Sequence, residues 1–138
     1  MRKLFVITFI CLTGCSEQSN KQNKYSDIIL NAEEMQIAFS TGSFSTSVVS
    51  EKDRSVFLAL NDVFSGNAQD CDCQHSGYIA IYSQKKVVLD VWLATSATGS
   101  GENCQFLIMK EENKNKCYKL NYRLGRYLDE LFYDIKPR

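Results

Sequence analysis

Apolar residues are spaced along the chain in patterns that separate a leader, a polar connector and a folded domain. A continuous apolar run covers 4–12, and a wholly polar stretch covers 16–24. Beyond it, apolar residues recur at helical and strand spacing as far as Ile135. The pattern predicts one folded domain over 25–138, preceded by a short leader and a flexible tether.

Two stretches, over about 50–64 and 121–135, have the apolar spacing of amphipathic helices. Ser50 can accept a hydrogen bond from a free amide in the first turn of the earlier helix. Arg126 and Glu130 can pair at i, i+4 on the later one. The apolar positions that define the two faces are Val56, Leu60 and Val63 in the first helix and Leu124, Leu128, Leu131 and Ile135 in the second.

The chain before the first helix is harder to interpret. Asp27 can cap a short helix within 25–35, although the residues that end this stretch already alternate as a strand does. We expect a strand over about 35–40, a turn at 41–42, and either an edge strand or a loop over 44–49.

Four alternating stretches after the first helix predict two β-hairpins. Val87 is expected on the aliphatic face of the first hairpin, and Val88 on the opposite face with Tyr78 and Trp92. The order of elements predicts an α+β fold, an antiparallel sheet of about 4–6 strands with both main helices packed on one face. The predicted strands are 78–82 and 87–93, joined about 84–85, and 105–109 and 117–120, joined about 112–115.

The leader begins with Arg2 and Lys3, and its apolar run is shorter than the roughly 20 residues that a spanning helix needs. Leu12-Thr13-Gly14-Cys15 follows this run and resembles the lipobox of bacterial lipoproteins. The resemblance implies that 1–14 is a signal peptide, that Cys15 receives a diacylglycerol thioether, and that 15–24 is the lipidated cysteine with its tether.

A Ser16 after the lipidated cysteine resembles lipoproteins that are sorted to the outer membrane. Two or three acyl chains anchor a protein stably, whereas a single chain is only marginal. The expected location is the bacterial cell envelope, facing the periplasm and anchored in the lipid bilayer, with the outer membrane favoured.

Four cysteines lie within the predicted domain, and an even count in an exported protein indicates two disulfides. Pairing Cys71 with Cys73 would close a strained ring, so we expect each to pair separately with Cys104 or Cys117. The spacing leaves both of those connectivities open. Either would brace the domain by restricting the unfolded chain.

A metal site is the alternative for the same segment. Cys71, Cys73 and His75 share one face if the chain is extended there, and soft sulfur and nitrogen ligands suit Cu(I) or Zn. This alternative implies metal or thiol handling in the periplasm. Export favours disulfides instead, so no cofactor is expected.

The chain contains no nucleotide-binding, metalloprotease or serine-hydrolase motif. His75 is the only imidazole, so a catalytic triad would have to combine it with a serine and an aspartate chosen from Ser76 or Ser100 and Asp72 or Asp90. We therefore predict a protein that is not an enzyme.

The charges balance over the whole chain, with 16 basic and 16 acidic residues and a pI of about 6.6, which argues against a nucleic-acid partner. They are distributed unevenly. Residues 27–72 carry eight acids and two bases, whereas 85–138 carry ten bases and seven acids. Such a charge dipole can steer a protein partner of opposite charge.

These features favour a non-catalytic envelope lipoprotein that binds another protein in the periplasm. An immunity or inhibitor role, against a toxin or a cell-wall hydrolase, suits a small tethered domain without an active site. The alternative is an accessory or assembly subunit of an envelope complex. The candidate partner-binding residues are Asp70, Asp72, His75, Tyr78, Tyr82, Asp90 and Trp92.

Overall fold

The computed structural model of the protein describes residues 23–40 and 48–135. The lipobox, the turn expected at 41–42 and the first part of the 44–49 stretch lie outside the described residues. Within the described ranges, no helix is both long and apolar enough to cross a membrane.

The described part of the chain forms one antiparallel sheet with helices before, between and after its strands. The six strands lie in the order β2-β1-β3-β4-β5-β6. The predicted α+β class and sheet are therefore confirmed. In chain order the elements are α1 (Ser26–Leu30), β1 (Glu34–Phe39), β2 (Val48–Glu51), α2 (Arg54–Phe64), β3 (Gly77–Ser83), β4 (Lys86–Ala94), a 3-10 turn (Ser96–Thr98), β5 (Phe106–Glu111), β6 (Lys114–Lys119) and α3 (Tyr122–Ile135).

The main core lies between the helices and one face of the sheet. Phe57 and Leu60 of α2 and Leu124 and Leu128 of α3 are fully buried there against alternate strand residues. The predicted stripe of α3 is confirmed but incomplete, because Phe132 is also buried and its ring lies 5.3 Å from that of Phe39. Among the residues that the structure describes, no helix packs on the other face of the sheet.

Helix α2 begins later than predicted, at Arg54 instead of about 50. The Ser55 amide donates to the Asp53 side chain at 2.9 Å, so Asp53 is the N-cap. Ser50 belongs to β2, and its hydroxyl donates to Glu34 across the sheet at 2.7 Å. The capping role predicted for Ser50 is wrong, because pairing of β2 with β1 holds this residue in the sheet.

The ambiguous segment after the tether divides into a short helix and a strand. Tyr25 is the N-cap of α1, and Asp27 lies in its first turn without capping it. The Glu111 carboxylate accepts hydrogen bonds from Lys24 at 2.8 Å and from the Tyr25 hydroxyl at 2.5 Å. The bond from Lys24 is the main reason that the pKa of Glu111 is lowered. These contacts attach the start of the domain to β5.

Both predicted hairpins are present. The first turns at Gln84 and Lys85, as predicted, and the second turns at Glu112 and Asn113, so β6 begins earlier than expected. All four turn residues have φ between 49° and 63°. Two consecutive left-handed residues define the turn that matches the twist of a two-residue hairpin.

A β-bulge changes the side-chain alternation at the start of β4. Ile81 pairs with Leu89 and Tyr82 pairs with Val87, which leaves Val88 as the additional residue. Val87 is 51% exposed, and Val88 lines a groove beside α1. The faces predicted for these two valines are wrong, because a bulge inserts one residue into a strict period of two.

Two glycines give opposite predictions for substitution by alanine. A Cβ on Gly77 would overlap the carbonyl oxygen of Ala38 on the neighbouring strand, whereas a Cβ on Gly125 would lie 3.9 Å from Leu120 Cβ in ordinary contact. We expect Gly77→Ala to lower the free energy of unfolding by about 1–3 kcal/mol. Gly125→Ala should raise it by about 0.5–1 kcal/mol, because glycine is a poor helix former. Urea denaturation measures both, and a neutral Gly77→Ala would contradict the close approach of β1 and β3.

Candidate functional site

The chain between α2 and β3 crosses the face of the sheet that the helices leave uncovered. We call residues 69–76 the strap. At its start, Gln69 pairs with Cys117 of β6 through amide-to-carbonyl distances of 2.9 and 2.8 Å. At its end, the Ser76 amide donates to the Leu93 carbonyl of β4 at 2.7 Å. The strap therefore runs from the edge strand β6 to the centre of the sheet.

Two disulfides hold the strap against the sheet. Cys71 is bonded to Cys117 and Cys73 to Cys104, which confirms the prediction that each pairs separately. The bonds close chain separations of 46 and 31 residues, and loops of this size contribute about 3–4 kcal/mol each in the chain-entropy account. Under the strap lies a second apolar cluster, formed by Ala94, Phe106, Ile108 and Cys117 with the other three half-cystines packed against it.

The rest of this face is left open. One row of paired residues crosses the sheet from Val48 through Ala38 and Tyr78 to Trp92, and continues to Ile108 beneath the strap. The residues of the neighbouring rows share the same face, because cross-strand partners point the same way. We call the part of this face outside the strap the open face, formed by Glu34, Gln36, Ala38, Val48, Ser50, Tyr78, Ala80, Tyr82, Val87, Asp90 and Trp92. Of these residues, Ala38 and Ala80 are buried.

An aromatic cluster lies where the strap meets the open face. The ring of His75 lies 4.2 Å from that of Trp92, and Tyr78 approaches Trp92 edge-on at 6.4 Å. Trp92 remains 47% exposed despite both neighbours. Tyr78, Trp92 and Asp90 line a shallow depression of about 220 Å³ beside the cluster. An exposed tryptophan at the centre of a rigid sheet is typical of an interface anchor.

The open face carries two carboxylates, Glu34 and Asp90, and the charge of Lys52, which directly follows β2, acts on Glu34. The Glu34 carboxylate accepts bonds from Ser50 at 2.7 Å and from Gln36 at 3.3 Å. These bonds, chiefly that from Ser50, lower the pKa of Glu34. The face thus combines aromatic surface with negative charge.

The structure brings most of the predicted partner-binding residues together. His75, Tyr78, Asp90 and Trp92 meet at the aromatic cluster, and Tyr82 lies further along the same face, opposite Glu34. Asp70 and Asp72 are exposed on the strap.

Sequence reasoning missed the contribution of β1 and β2 to this face. Gln36, Ala38 and Val48 join it only because β1 pairs with β3, a contact between residues about 40 positions apart. The alternation of β1 was visible in the sequence, but the identity of its neighbours was not.

A metal site or thiol chemistry at Cys71, Cys73 and His75 would require free sulfurs beside the imidazole. Both sulfurs are engaged in disulfides, and the ring of His75 packs on Trp92. In residues 23–40 and 48–135, no group of three or more His, Cys, Asp or Glu side chains is placed to hold a metal ion.

The hydroxyl of Ser76 belongs to a buried polar cluster instead of a triad with His75. It is hydrogen-bonded to Thr98 and accepts a bond from Ser100 at 2.8 Å, while Thr95 and Thr98 are 2.9 Å apart. This cluster joins the end of the strap to the loop after β4, so it fixes the residue that follows His75.

The fold and the site define a disulfide-braced α+β domain with helices on one face and a half-covered sheet on the other. No protein-family model, no curated protein and no solved structure matches this chain. The open face and its chemistry are therefore the basis for the proposed function.

Trp92 is the only tryptophan of the chain, so its fluorescence reports on the strap. We expect the double variant Cys73→Ser/Cys104→Ser to emit at longer wavelength than the wild type, because a released strap removes His75 from the indole and exposes it to water. His75→Ala supplies the reference spectrum for an uncovered ring. If His75→Ala shifts the emission and the double variant does not, the disulfide does not hold the strap in place.

Proposed function

We propose that the protein is a non-catalytic lipoprotein of the bacterial cell envelope that binds a protein partner through the open face. The observation that carries this proposal is the half-exposed Trp92, flanked by His75 and Tyr78 at the centre of a sheet face that none of the described helices covers.

The rigidity of the face supports a binding role. Trp92 lies on a central strand that is paired on both sides, and the strap beside it is fixed by two disulfides and the Ser76 hydroxyl cluster. A preorganised surface loses little conformational entropy when a partner docks, so more of the contact energy appears as affinity. Tryptophan and tyrosine are the residues that most often dominate such contacts.

The charges on the face define the chemistry of the partner. Glu34 and Asp90 flank the aromatic centre, and Asp70 and Asp72 extend the negative charge along the strap. The surface complementary to the open face is an apolar patch surrounded by lysine or arginine on the partner protein. Complementary charge increases the association rate and makes it dependent on salt.

An immunity or inhibitor role fits this surface best. An inhibitor needs a rigid face that covers its target and no chemistry of its own, and a lipid anchor keeps it where toxins and cell-wall hydrolases act. The polar residues that join Cys15 to the domain leave it free to meet a soluble target.

Substitution of Trp92 tests the binding face. We expect Trp92→Ala to weaken partner binding at least about 30-fold, the effect of losing a 2 kcal/mol anchor. The matched control is Leu58→Ala, which removes a 44% exposed apolar side chain from the outer surface of α2. Periplasmic extract is crosslinked to each full-length protein, the captured protein is identified, and its affinity is then measured by biolayer interferometry.

Two results would contradict the proposal. The first is equal affinity of the Trp92→Ala and wild-type proteins for the captured partner. The second is a stronger effect of Leu58→Ala, which would place the interface on the helical side. A captured subunit of a transport or secretion complex, in place of a toxin or hydrolase, would support binding but contradict the inhibitor role.

Lipidation has its own test. We expect labelled palmitate to be incorporated into the wild type and not into Cys15→Ala, and the variant to leave the membrane fraction. Cys11→Ala is the matched control, because it changes a cysteine that the expected cleavage removes. Equal membrane association of Cys15→Ala and wild type would contradict the anchor.

A further inference from the structure

The two disulfides hold different parts of the strap. Backbone hydrogen bonds fix its ends, at Gln69 and Ser76. In the described part of the chain, residues 70–75 form no hydrogen bond and no ion pair. The bond from Cys71 to Cys117 reinforces the first end, because Gln69 also pairs with Cys117.

The second disulfide determines where His75 lies. Cys73 is two residues before His75 and is bonded to Cys104. If this bond opens, residues 72–75 are held at their two ends and, among the described contacts between them, by the ring of His75 on Trp92. The position of His75 on the indole, and with it the shape of the open face, therefore depends on one disulfide.

The two disulfides also differ in exposure. Cys117 is fully buried in the apolar cluster under the strap, whereas Cys73 and Cys104 are both partly exposed. Gly101 lies beside the second bond, since a Cβ on this glycine would be 3.8 Å from Cys104 Sγ. Glycine has no side chain to cover the sulfur, so a thiolate can approach the second disulfide from water.

The departing sulfur favours the same disulfide. In thiol–disulfide exchange, one sulfur is attacked and the other leaves as a thiolate. Attack on the partly exposed Cys71 makes Cys117 the departing sulfur, and its negative charge then forms among apolar side chains, which is unfavourable. At the second disulfide either sulfur can be attacked, because both can leave as thiolates in contact with water.

The charges near the two bonds do not reverse this order. Asp72 lies between the two half-cystines of the strap, so it repels a thiolate from both bonds. Lys119, on the same side of β6 as Cys117, attracts a thiolate to the first bond, and Glu102, two residues before Cys104, repels it from the second. Both side chains are exposed, so water and salt screen their charges.

We propose that the Cys73–Cys104 disulfide is a redox switch for the open face, opened by a dithiol reductant while the Cys71–Cys117 disulfide stays closed. A thiolate of the dithiol bonds to one sulfur as the Cys73–Cys104 bond breaks, and the second thiol of the reductant then displaces that sulfur. The reductant leaves as a disulfide, and its two electrons and two protons remain on Cys73 and Cys104 as thiols.

Opening the switch weakens partner binding. The released part of the strap no longer fixes His75 on Trp92, so the face loses its preorganised shape and a partner must order it on docking. The switch rests on the function proposed above, since the open face is the surface that it changes.

Graded reduction of the full chain in detergent tests the order of opening. Free thiols are blocked with N-ethylmaleimide, the protein is treated with dithiothreitol over a time course, and new thiols are alkylated with iodoacetamide and mapped by mass spectrometry. We expect alkylation of Cys73 and Cys104 to be at least about 10-fold faster than that of Cys71 and Cys117. Equal rates, or faster alkylation of Cys71 and Cys117, would overturn the proposal.

The emission of Trp92, followed in the same time course, connects the opening to the open face. We expect it to move to longer wavelength together with the alkylation of Cys73 and Cys104. His75→Ala is the matched control, which should be reduced at the wild-type rate with a smaller shift. Wild-type emission that stays constant while Cys73 and Cys104 are alkylated would show that the strap remains in place, against the proposal.

Partner affinity separates the switch from the partner-binding function. Wild-type protein alkylated at Cys73 and Cys104 should bind the captured partner at least about 10-fold more weakly than the oxidised protein. Equal affinity of these two forms would overturn the switch and leave the effect of Trp92→Ala intact. Equal affinity of Trp92→Ala and wild type would instead contradict the partner-binding function, while the order of reduction and the emission still decide whether the strap opens.

Discussion

The attachment of the strap to the sheet is the constraint on which the rest of the molecule depends. A six-stranded sheet has two faces, and the helices in the described part of the chain pack on one of them. On the other face, the bonds from Cys71 to Cys117 and from Cys73 to Cys104 hold a short polar segment over β5 and β6. The strap thereby separates a buried apolar cluster from an open aromatic face. The strap has few apolar side chains of its own, so the disulfides supply much of its attachment to the sheet.

The strap also determines which residues can act together. The strap ends just before Gly77, where β3 begins. Near this end, the ring of His75 packs on Trp92. The ring of His75 comes from a loop, and the indole comes from a central strand. The chain is held on both sides of His75, because the half-cystine at position 73 lies two residues before it and the Ser76 hydroxyl cluster follows it.

Local pattern predicted most of the fold, and non-local pairing accounts for what it missed. Strict alternation in β3 and β4 identified Tyr78, Asp90 and Trp92 as one face, because a period of two follows from strand geometry alone. The bulge at Val88 and the pairing of Ser50 with Gln36 depend on neighbouring strands that the sequence does not identify. For the same reason the disulfide connectivity stayed open: both arrangements were compatible with the spacing, and only the positions of Cys104 and Cys117 around the strap distinguish them.

The residues that are unfavourable for stability lie at two places in the fold. An exposed tryptophan lies on the open face. A helical glycine, Gly125, and a carboxylate whose Oδ1 forms no hydrogen bond among the described residues, Asp129, lie one turn apart on α3. Elsewhere the helices have apolar stripes and the sheet buries its inner face as the pattern requires. Residues that lower stability are expected to cluster at functional surfaces. The disulfides restrict the unfolded chain, and the stability they add offsets the cost of keeping such residues.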